Sequence, residues 1–373
     1  MPARTTLDRL GRPLRDLRIS VTDRCNFRCT YCMPREIYGA AFRFLPHEDL
    51  LTFEEITRLA RAAVSLGVSK IRLTGGEPLL RRDVELLVSM LANIDGVDDL
   101  TLTTNGSVLA QKAEVLANAG LDRVTVSLDS LDDETFARLN DVSFPVARVI
   151  EGIEAANRAG LAPVKVNMVV RRGLNEDSVL PMARFARDGG YTLRFIEYMD
   201  VGHTNGWALD EVVPSSEIVA VIDAEMPLEP LPPSYPGEVA SRFRYRDGAG
   251  EVGVISSVTQ PFCGSCTRAR LTAEGMLYTC LFGTEGVDVR APLRAGADDA
   301  AMGARLRAVG EARAVRDSEL RSAGTSDLAR VEMSRSGGCG AAGWNRAGGV
   351  KRDAACRARV SCRAARRRWS AMA

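Results

Sequence analysis

From Asp16 to Met199 short β-rich runs alternate with amphipathic helical stretches, the pattern of a parallel sheet built from βα units. Six runs read as strands: LRISVT (17–22), KIRLT (70–74), LTLTT (100–104), RVTVSL (123–128), VKVNMVV (164–170) and TLRFIEYM (192–199). The helices between them carry their own punctuation. Thr52 and Glu55 have the spacing of a capping box, Ile56, Leu59, Ala60, Ala63 and Val64 then share one face, and Gly67 stops the helix. A second helix is expected from Val146 to Ala159, ending at Gly160. Six βα repeats are too few for a closed eight-stranded barrel. The expected fold is therefore α/β, a partial, open (β/α)6 TIM-like barrel with its chemistry at the C-terminal ends of the strands.

At 373 residues the chain has room for a second, smaller domain. Residues 227–236, PLEPLPPSYP, hold five prolines in ten, which cannot continue a helix or a central strand, so they mark the expected linker. Beyond it, 240–282 reads as short strands and turns, with a hairpin suggested by RARLT, AEG and MLYTC, and 298–322 reads as an Ala/Arg-rich helix. After Gly338 the composition collapses into Gly, Ala, Arg and Cys without periodicity. Three regions are expected: a barrel over 1–226, a smaller C-terminal α+β domain over 227–338, and a disordered basic tail over 339–373.

The formal charge of +1 conceals an asymmetry. The last 35 residues carry nine Lys or Arg and one acid, Asp353, which leaves −7 on the rest. A mildly acidic body gives no support to nucleic-acid binding. No stretch is apolar for long enough to cross a bilayer, and MPARTTLDRLGRP lacks the apolar core of a signal peptide, so a cytoplasmic chain without a membrane partner is expected. In that reducing compartment the nine cysteines are more often metal ligands or free thiols than disulfides.

Their spacing makes two sets of three. Cys25, Cys29 and Cys32 follow the first strand, where barrel loops build active sites. Three thiolates within eight residues can wrap a metal or cluster, but a structural zinc site needs four ligands, and the only two histidines, His47 and His203, lie outside this loop. A [4Fe–4S] cubane held by three cysteines keeps one iron open to a substrate. Cys263, Cys266 and Cys280 again supply three thiolates; a zinc ribbon completed by a tail cysteine, Cys339, Cys356 or Cys362, stays open as an alternative. Arg268 and Arg270 alternate on a strand and so share a face, which suits either a fork for a phosphate chain or a solvated basic edge strand.

DRCNFRCTYCMP resembles the cysteine loop of the radical S-adenosylmethionine superfamily, in which an aromatic residue, here Tyr31, precedes the third cysteine. Gly75-Gly76-Glu77-Pro78, at the end of the second strand, is similar to that superfamily's second mark, whose backbone receives the methionine amino group; glycine lets a ligand approach the main chain closely. FCGSCTRARLTAEGMLYTCLF resembles the second-cluster segment of the GTP 3′,8-cyclase family, which opens molybdenum cofactor biosynthesis. The likeness continues through LRDLRISVTDRCNFRCTYCMP, KIRLTGGEPLLRRD, LTTNG, VSLDSLD, KVNMVV, RFIEYMDVG, NGW and GEVA, covering about residues 5 to 295.

The resemblance implies two [4Fe–4S] clusters, on Cys25, Cys29 and Cys32 and on Cys263, Cys266 and Cys280. S-adenosylmethionine would be bound by Tyr31, Gly75, Gly76, Glu77, Ser127 and Met199, and the substrate GTP by Arg18, Arg72, Thr103, Lys165, Arg268 and Arg270. The first three cysteines, Arg268 and Arg270 would carry the catalysis. Taken singly, Arg72 or Lys165 also reads as a barrel-lining charge with a carboxylate partner. The implied reaction abstracts the 3′ hydrogen of GTP with a 5′-deoxyadenosyl radical and joins C3′ to C8 of the guanine. A homodimer, a reductant such as flavodoxin or ferredoxin, and delivery of product to cyclic pyranopterin monophosphate synthase are implied with it.

Family members end in a Gly-Gly peptide that reaches into the active site. VEMSRSGG (331–338) resembles that end, with Gly337 and Gly338 as the pair, but Arg335 and Ser336 depart from the family's pattern and 35 residues follow. The competing readings are a radical S-adenosylmethionine peptide maturase and a copy impaired by its extension.

Overall fold

The computed structural model describes residues 5–201 and 206–319. The expected Gly337–Gly338 end and the tail over 339–373 lie outside the described residues. Six strands come first: β1 (Asp16–Ser20), β2 (Lys70–Thr74), β3 (Asp99–Thr104), β4 (Arg123–Ser127), β5 (Lys165–Val170) and β6 (Thr192–Glu197). They pair in chain order and in parallel. The crossovers carry α1 (Phe53–Val64), α2 (Val84–Ala92), α3 (Leu109–Asn118), α4 (Asp133–Asn140), α5 (Val146–Arg158) and α6 (Val179–Asp188). α1 begins at a complete capping box: Thr52 Oγ1 accepts the Glu55 N–H at 3.1 Å, and the Glu55 carboxylate accepts the Thr52 N–H at 2.8 Å. After α5 the chain leaves the helix through Gly160, which takes a φ of 82°.

The segment beyond α7 (Ser215–Glu225) extends this same sheet. β7 (Leu228–Leu231), β8 (Ser241–Tyr245) and β9 (Glu251–Ile255) are antiparallel to their neighbours, and β9 then lies parallel to β6. At the other edge β10 (Arg268–Leu271) is parallel to β1, and β11 (Met276–Tyr278) and β12 (Val287–Asp288) continue antiparallel from it. The partial barrel therefore gains one parallel strand at each edge and ends in antiparallel strands on both sides.

Two expectations need correction. The proline-rich stretch is not all linker: Leu228–Leu231 forms β7 with Pro230 inside it, tolerated because β7 takes the outermost place in the sheet, where a missing N–H breaks no ladder. The last described helices are α8 (Arg290–Arg294) and α9 (Asp299–Ala312), and 313–319 is not helical as 298–322 was expected to be. Arg313 ends α9 because its guanidinium is drawn to Asp8 and to the carbonyls of Cys266 and Arg268.

Alternate residues of a strand take opposite faces. Leu17, Ile19, Ile71, Leu73, Val124, Val126, Val166, Met168, Leu193 and Phe195 join the apolar core shared with the helices. The opposite parity, Arg18, Arg72, Thr103, Ser127, Asn167, Arg194 and Arg270, lines the barrel interior. Closed barrels fill that interior with Val, Ile and Leu. Here it is polar and cationic, so the interior is a site rather than a core.

Candidate functional site

The interior opens into a cavity that collects residues from all the parallel strands and from the loops at their C-terminal ends. Of the positions expected from sequence it brings together Arg18, Arg72, Thr103, Arg268 and Arg270, then Tyr31, Ser127 and Met199, and all three of Cys263, Cys266 and Cys280. Lys165, at the start of β5, stands at the other end of the interior. It lines a second cavity between the N-terminal ends of the strands, together with Arg123 and Tyr235, and Arg194 lines both cavities. Gly75, Gly76, Glu77 and the first cysteine set lie outside the lining; Tyr31, between Cys29 and Cys32, connects that loop to the cavity.

Positive charge is concentrated here: Arg18, Arg72, Arg194, Arg268 and Arg270 all line the one cavity. Burial, helped by Arg72 and Arg18, pushes Arg194 down to about 9. Burial likewise brings Arg18 to about 10, with Asp16 offsetting part of the effect of Arg268 and Arg72. Arg270 falls well below the usual arginine value through burial and the charges of Arg18 and Arg268. Lys165 drops to about 7, again through burial first and then Arg194 and Arg123. Among the described residues Arg72 gives its guanidinium to the hydroxyls of Thr103 (3.0 Å) and Thr125 (3.1 Å) rather than to a carboxylate. The Nε atoms of Arg18, Arg72 and Arg268 are buried without a hydrogen-bond partner among the described residues. The depressed charges of Arg18, Arg194, Arg270 and Lys165 are costly to bury until an anion arrives to favour them. β10 lies between β1 and β11 and Arg270 is 3% exposed, so the solvated edge-strand reading of the Arg268/Arg270 pair does not hold.

The first cysteine loop is wound on its own backbone: the N–H groups of Cys32 and Met33 both donate to the Cys29 carbonyl, at 2.9 and 2.8 Å. The Phe27 N–H and the Asn105 side-chain amide face Cys25 Sγ at 3.4 and 3.8 Å, and Cys29 Sγ donates to Asn140 Oδ1 at 3.0 Å. The two glycines of GGEP are required by this same loop. A Cβ on Gly75, at φ 151°, would meet Thr22 O at 2.5 Å, and one on Gly76 would meet Arg24 O at 2.2 Å. The N–H groups of Gly76 and Glu77 are spent on Thr22 O and Arg24 O, both at 2.8 Å, which leaves carbonyls as the acceptors that an amino group needs. The Glu77 carboxylate, fully buried and raised to about 7 by that burial, accepts from the Leu79 N–H, the Asn105 N–H and the Thr104 hydroxyl; it fastens the end of β3 beside the loop.

Tyr31 donates to Asp129 Oδ2 at 2.6 Å, while Asp129 Oδ1 accepts the Val169 N–H at 2.8 Å. Burial lifts Asp129 to about 6. Burial and the nearby carboxylate keep the phenol protonated by raising it well above its ordinary value.

Around the second set the thiols differ from one another. Burial raises Cys263, and raises Cys280 to about 12 with Asp317 adding to it. Burial would lift Cys266 too, but the Arg268 guanidinium 3.4 Å from its sulfur outweighs it, and Cys266 falls to about 7. No three described His, Cys, Asp or Glu side chains converge as the ligands of one metal ion. None of the six is in a disulfide, and thiols are soft donors suited to an iron–sulfur cluster, in which each thiolate would meet a different iron.

Asn167, Arg194 and Asp129 belong to the site and were not singled out from sequence. For Asn167 and Arg194 the strand parity was the available signal, since both sit at inward positions of VKVNMVV and TLRFIEYM. Arg194 donates to Asn167 Oδ1 at 3.0 Å and to Thr125 Oγ1 at 3.3 Å.

Residues 19–186 match the model of the Radical SAM superfamily, and residues 191–318 match that of the Molybdenum Cofactor Synthesis C family. The fold agrees: the S-adenosylmethionine-bound structure of SuiB from Streptococcus suis superposes with a TM-score of 0.55 at 15% identity, covering 79% of this chain and 68% of that one. Fold, cysteine loop and superfamily match together define a radical S-adenosylmethionine enzyme. The GTP 3′,8-cyclase of Acidothermus cellulolyticus is 61% identical over 299 residues, 80% of this chain and 83% of that relative. That of Staphylococcus aureus strain JH9 is 46% identical over 319 residues, 85% of this chain and 94% of the relative. The chain belongs to the GTP 3′,8-cyclase family.

Proposed function

We propose that this chain converts GTP to 3′,8-cyclo-7,8-dihydro-GTP in the first step of molybdenum cofactor biosynthesis, with S-adenosylmethionine and two [4Fe–4S] clusters. The observation that carries the reading is the cation-lined interior, where Arg18, Arg72, Arg194, Arg268 and Arg270 share one cavity with a three-cysteine set. A triphosphate is complementary in charge to these guanidiniums, whereas a neutral peptide, the substrate class of a maturase, offers them no counter-charge.

When bound at Cys25, Cys29 and Cys32, the first cluster supplies the electron that splits S-adenosylmethionine into methionine and the radical that takes the 3′ hydrogen. Tyr31, Ser127 and Met199 bound the space for the adenosyl part, and the carbonyls of Gly75 and Gly76 receive the amino group. Arg18, Arg72, Thr103, Arg194 and Lys165 hold the triphosphate along the interior. Cys263, Cys266 and Cys280 hold the second cluster, with Arg268 and Arg270 beside it. The protein's contribution is positioning: the ribose must be held in reach of the radical and kept from water.

No helix among the described residues is long and apolar enough to cross a membrane. We place the protein in the cytoplasm, as a homodimer supplied with electrons by a flavodoxin or ferredoxin and passing product to cyclic pyranopterin monophosphate synthase. The test is an anaerobic incubation of reconstituted full-length protein with GTP, S-adenosylmethionine and dithionite. GTP-dependent formation of both 5′-deoxyadenosine and cyclised GTP, followed by mass spectrometry, is expected; deoxyadenosine without cyclised GTP would contradict the substrate assignment.

A further inference from the structure

A buried ion network joins both ends of the described chain to the second cysteine set. Asp8 Oδ2 accepts from Arg12 Nε at 2.7 Å and from Arg313 Nε at 2.6 Å, while its Oδ1 accepts the backbone N–H groups of Leu10 and Arg12 at 2.9 and 2.8 Å. All three side chains are nine-tenths buried or more. Their remaining donors go to the main chain of the cysteine turn. Arg12 Nη1 reaches the Cys263 carbonyl at 2.6 Å, Arg313 Nη2 reaches the Cys266 carbonyl at 2.7 Å, and Arg313 Nη1 reaches the Arg268 carbonyl at 3.1 Å. The same Arg12 fork also holds Val315 O at 3.3 Å. The segment it holds runs along the site: Val315 and Ser318 line the cavity, and the N–H groups of Ser318 and Glu319 face the Cys263 thiol.

We infer that Arg12, Asp8 and Arg313 are positioning residues for the second cysteine set: they fix the carbonyls of Cys263, Cys266 and Arg268 so that the thiols face the cavity, and they dock residues 313–319 against them. The physical reason for two arginines is their planar fork, which serves a carboxylate and two carbonyls at once in fixed directions. One carboxylate between two guanidiniums also leaves one positive charge beside a place that must carry thiolates. A turn stabilised only for folding would need its polar groups satisfied, which neutral partners can do; here the cations converge on the residues that bear the site.

The inference rests on the reading of Cys263, Cys266 and Cys280 as cluster ligands, and the experiment separates the two. The full chain carrying Cys25→Ser, Cys29→Ser and Cys32→Ser is reconstituted anaerobically, so that bound iron reports the second set alone. Arg12→Lys is then added, which keeps the charge and the ion pair with Asp8 but loses the fork. The expected result is circular dichroism of the metal-free chain like that of the parent, at least twofold less iron per chain, and an altered electron paramagnetic resonance spectrum of the reduced cluster. Parental iron content and spectrum would overturn the inference, as would failure of Arg12→Lys to fold, since the network would then be a structural brace. A parent that takes up no iron would remove the cluster reading itself, and the inference with it.

Discussion

The two cysteine triads are built in opposite ways. The first occupies eight residues of one loop, turns on its own carbonyls and has its thiols met by amides close at hand. The second is gathered from a turn and a later strand end, beside guanidiniums that come from residues 12 and 313. On the proposed function the difference follows from their tasks: a centre that delivers an electron to a bound cofactor can be a self-contained loop, whereas one whose cavity takes a polyanion is assembled among strands that carry the cations, with Arg12 and Arg313 bracing its turn.

Cysteine replacement breaks the comparison most sharply. Cys29→Ser is expected to abolish both 5′-deoxyadenosine and cyclised GTP. Cys266→Ser is expected to keep deoxyadenosine formation while the cyclised product falls below detection. Equal loss of both products in the two variants, measured on chains of matched iron content at the remaining triad, would erase the proposed division of labour.

Arg194→Met comes next. Removing a buried charged donor from the triphosphate costs about 1.5–3 kcal/mol, which weakens GTP binding by roughly 10- to 150-fold. Calorimetric titration of GTP is the check, with S-adenosylmethionine affinity expected to stay as in the parent.

Arg194 also marks where the sequence stops being informative. The six strands, the capping box and the hairpin were legible because each rests on local pattern: period-two alternation, a four-residue spacing, a turn triplet. The inward parity of Arg194 and Asn167 was visible in the same runs, but nothing in the sequence says whether a barrel interior is filled or open until the edge strands are placed. Those edges, β9 on β6 and β10 on β1, are parallel pairings over long separations and leave no local trace. The Asp8–Arg313 contact crosses 305 residues and was likewise invisible. The overrun of the last helix has the same origin. Its Ala/Arg composition favours helix, and a tertiary contact at Arg313 overrides that preference.

A pH measurement sharpens the account of the cationic interior. Lys165 is pushed down to about 7 by burial and then by Arg194 and Arg123, so above that pH the free protein holds it neutral. If Lys165 holds the triphosphate as proposed, binding restores its charge and takes up a proton, and GTP affinity falls as pH rises above 7, by up to about tenfold per unit. Titration in buffers of different ionisation heat reads this uptake directly, and Lys165→Met is expected to remove it. Stability carries the complementary sign. The unfolded chain, with lysine at its ordinary 10.5, binds a proton that the folded chain does not, so the contribution of this group to ligand-free stability rises with pH between about 7 and 10.5.

The smallest effect belongs to a residue remote from both triads. Thr52→Ala removes the capping box of α1 and is expected to cost about 1 kcal/mol of stability in a denaturation curve, with cyclisation unchanged.

The central claim is that the interior presents the ribose of GTP to a radical generated at the first triad. GTP deuterated at C3′ tests it most directly. The account predicts that one deuterium per turnover appears in 5′-deoxyadenosine, with cyclised GTP formed in equal amount. Deoxyadenosine that stays unlabelled while GTP is consumed would contradict it.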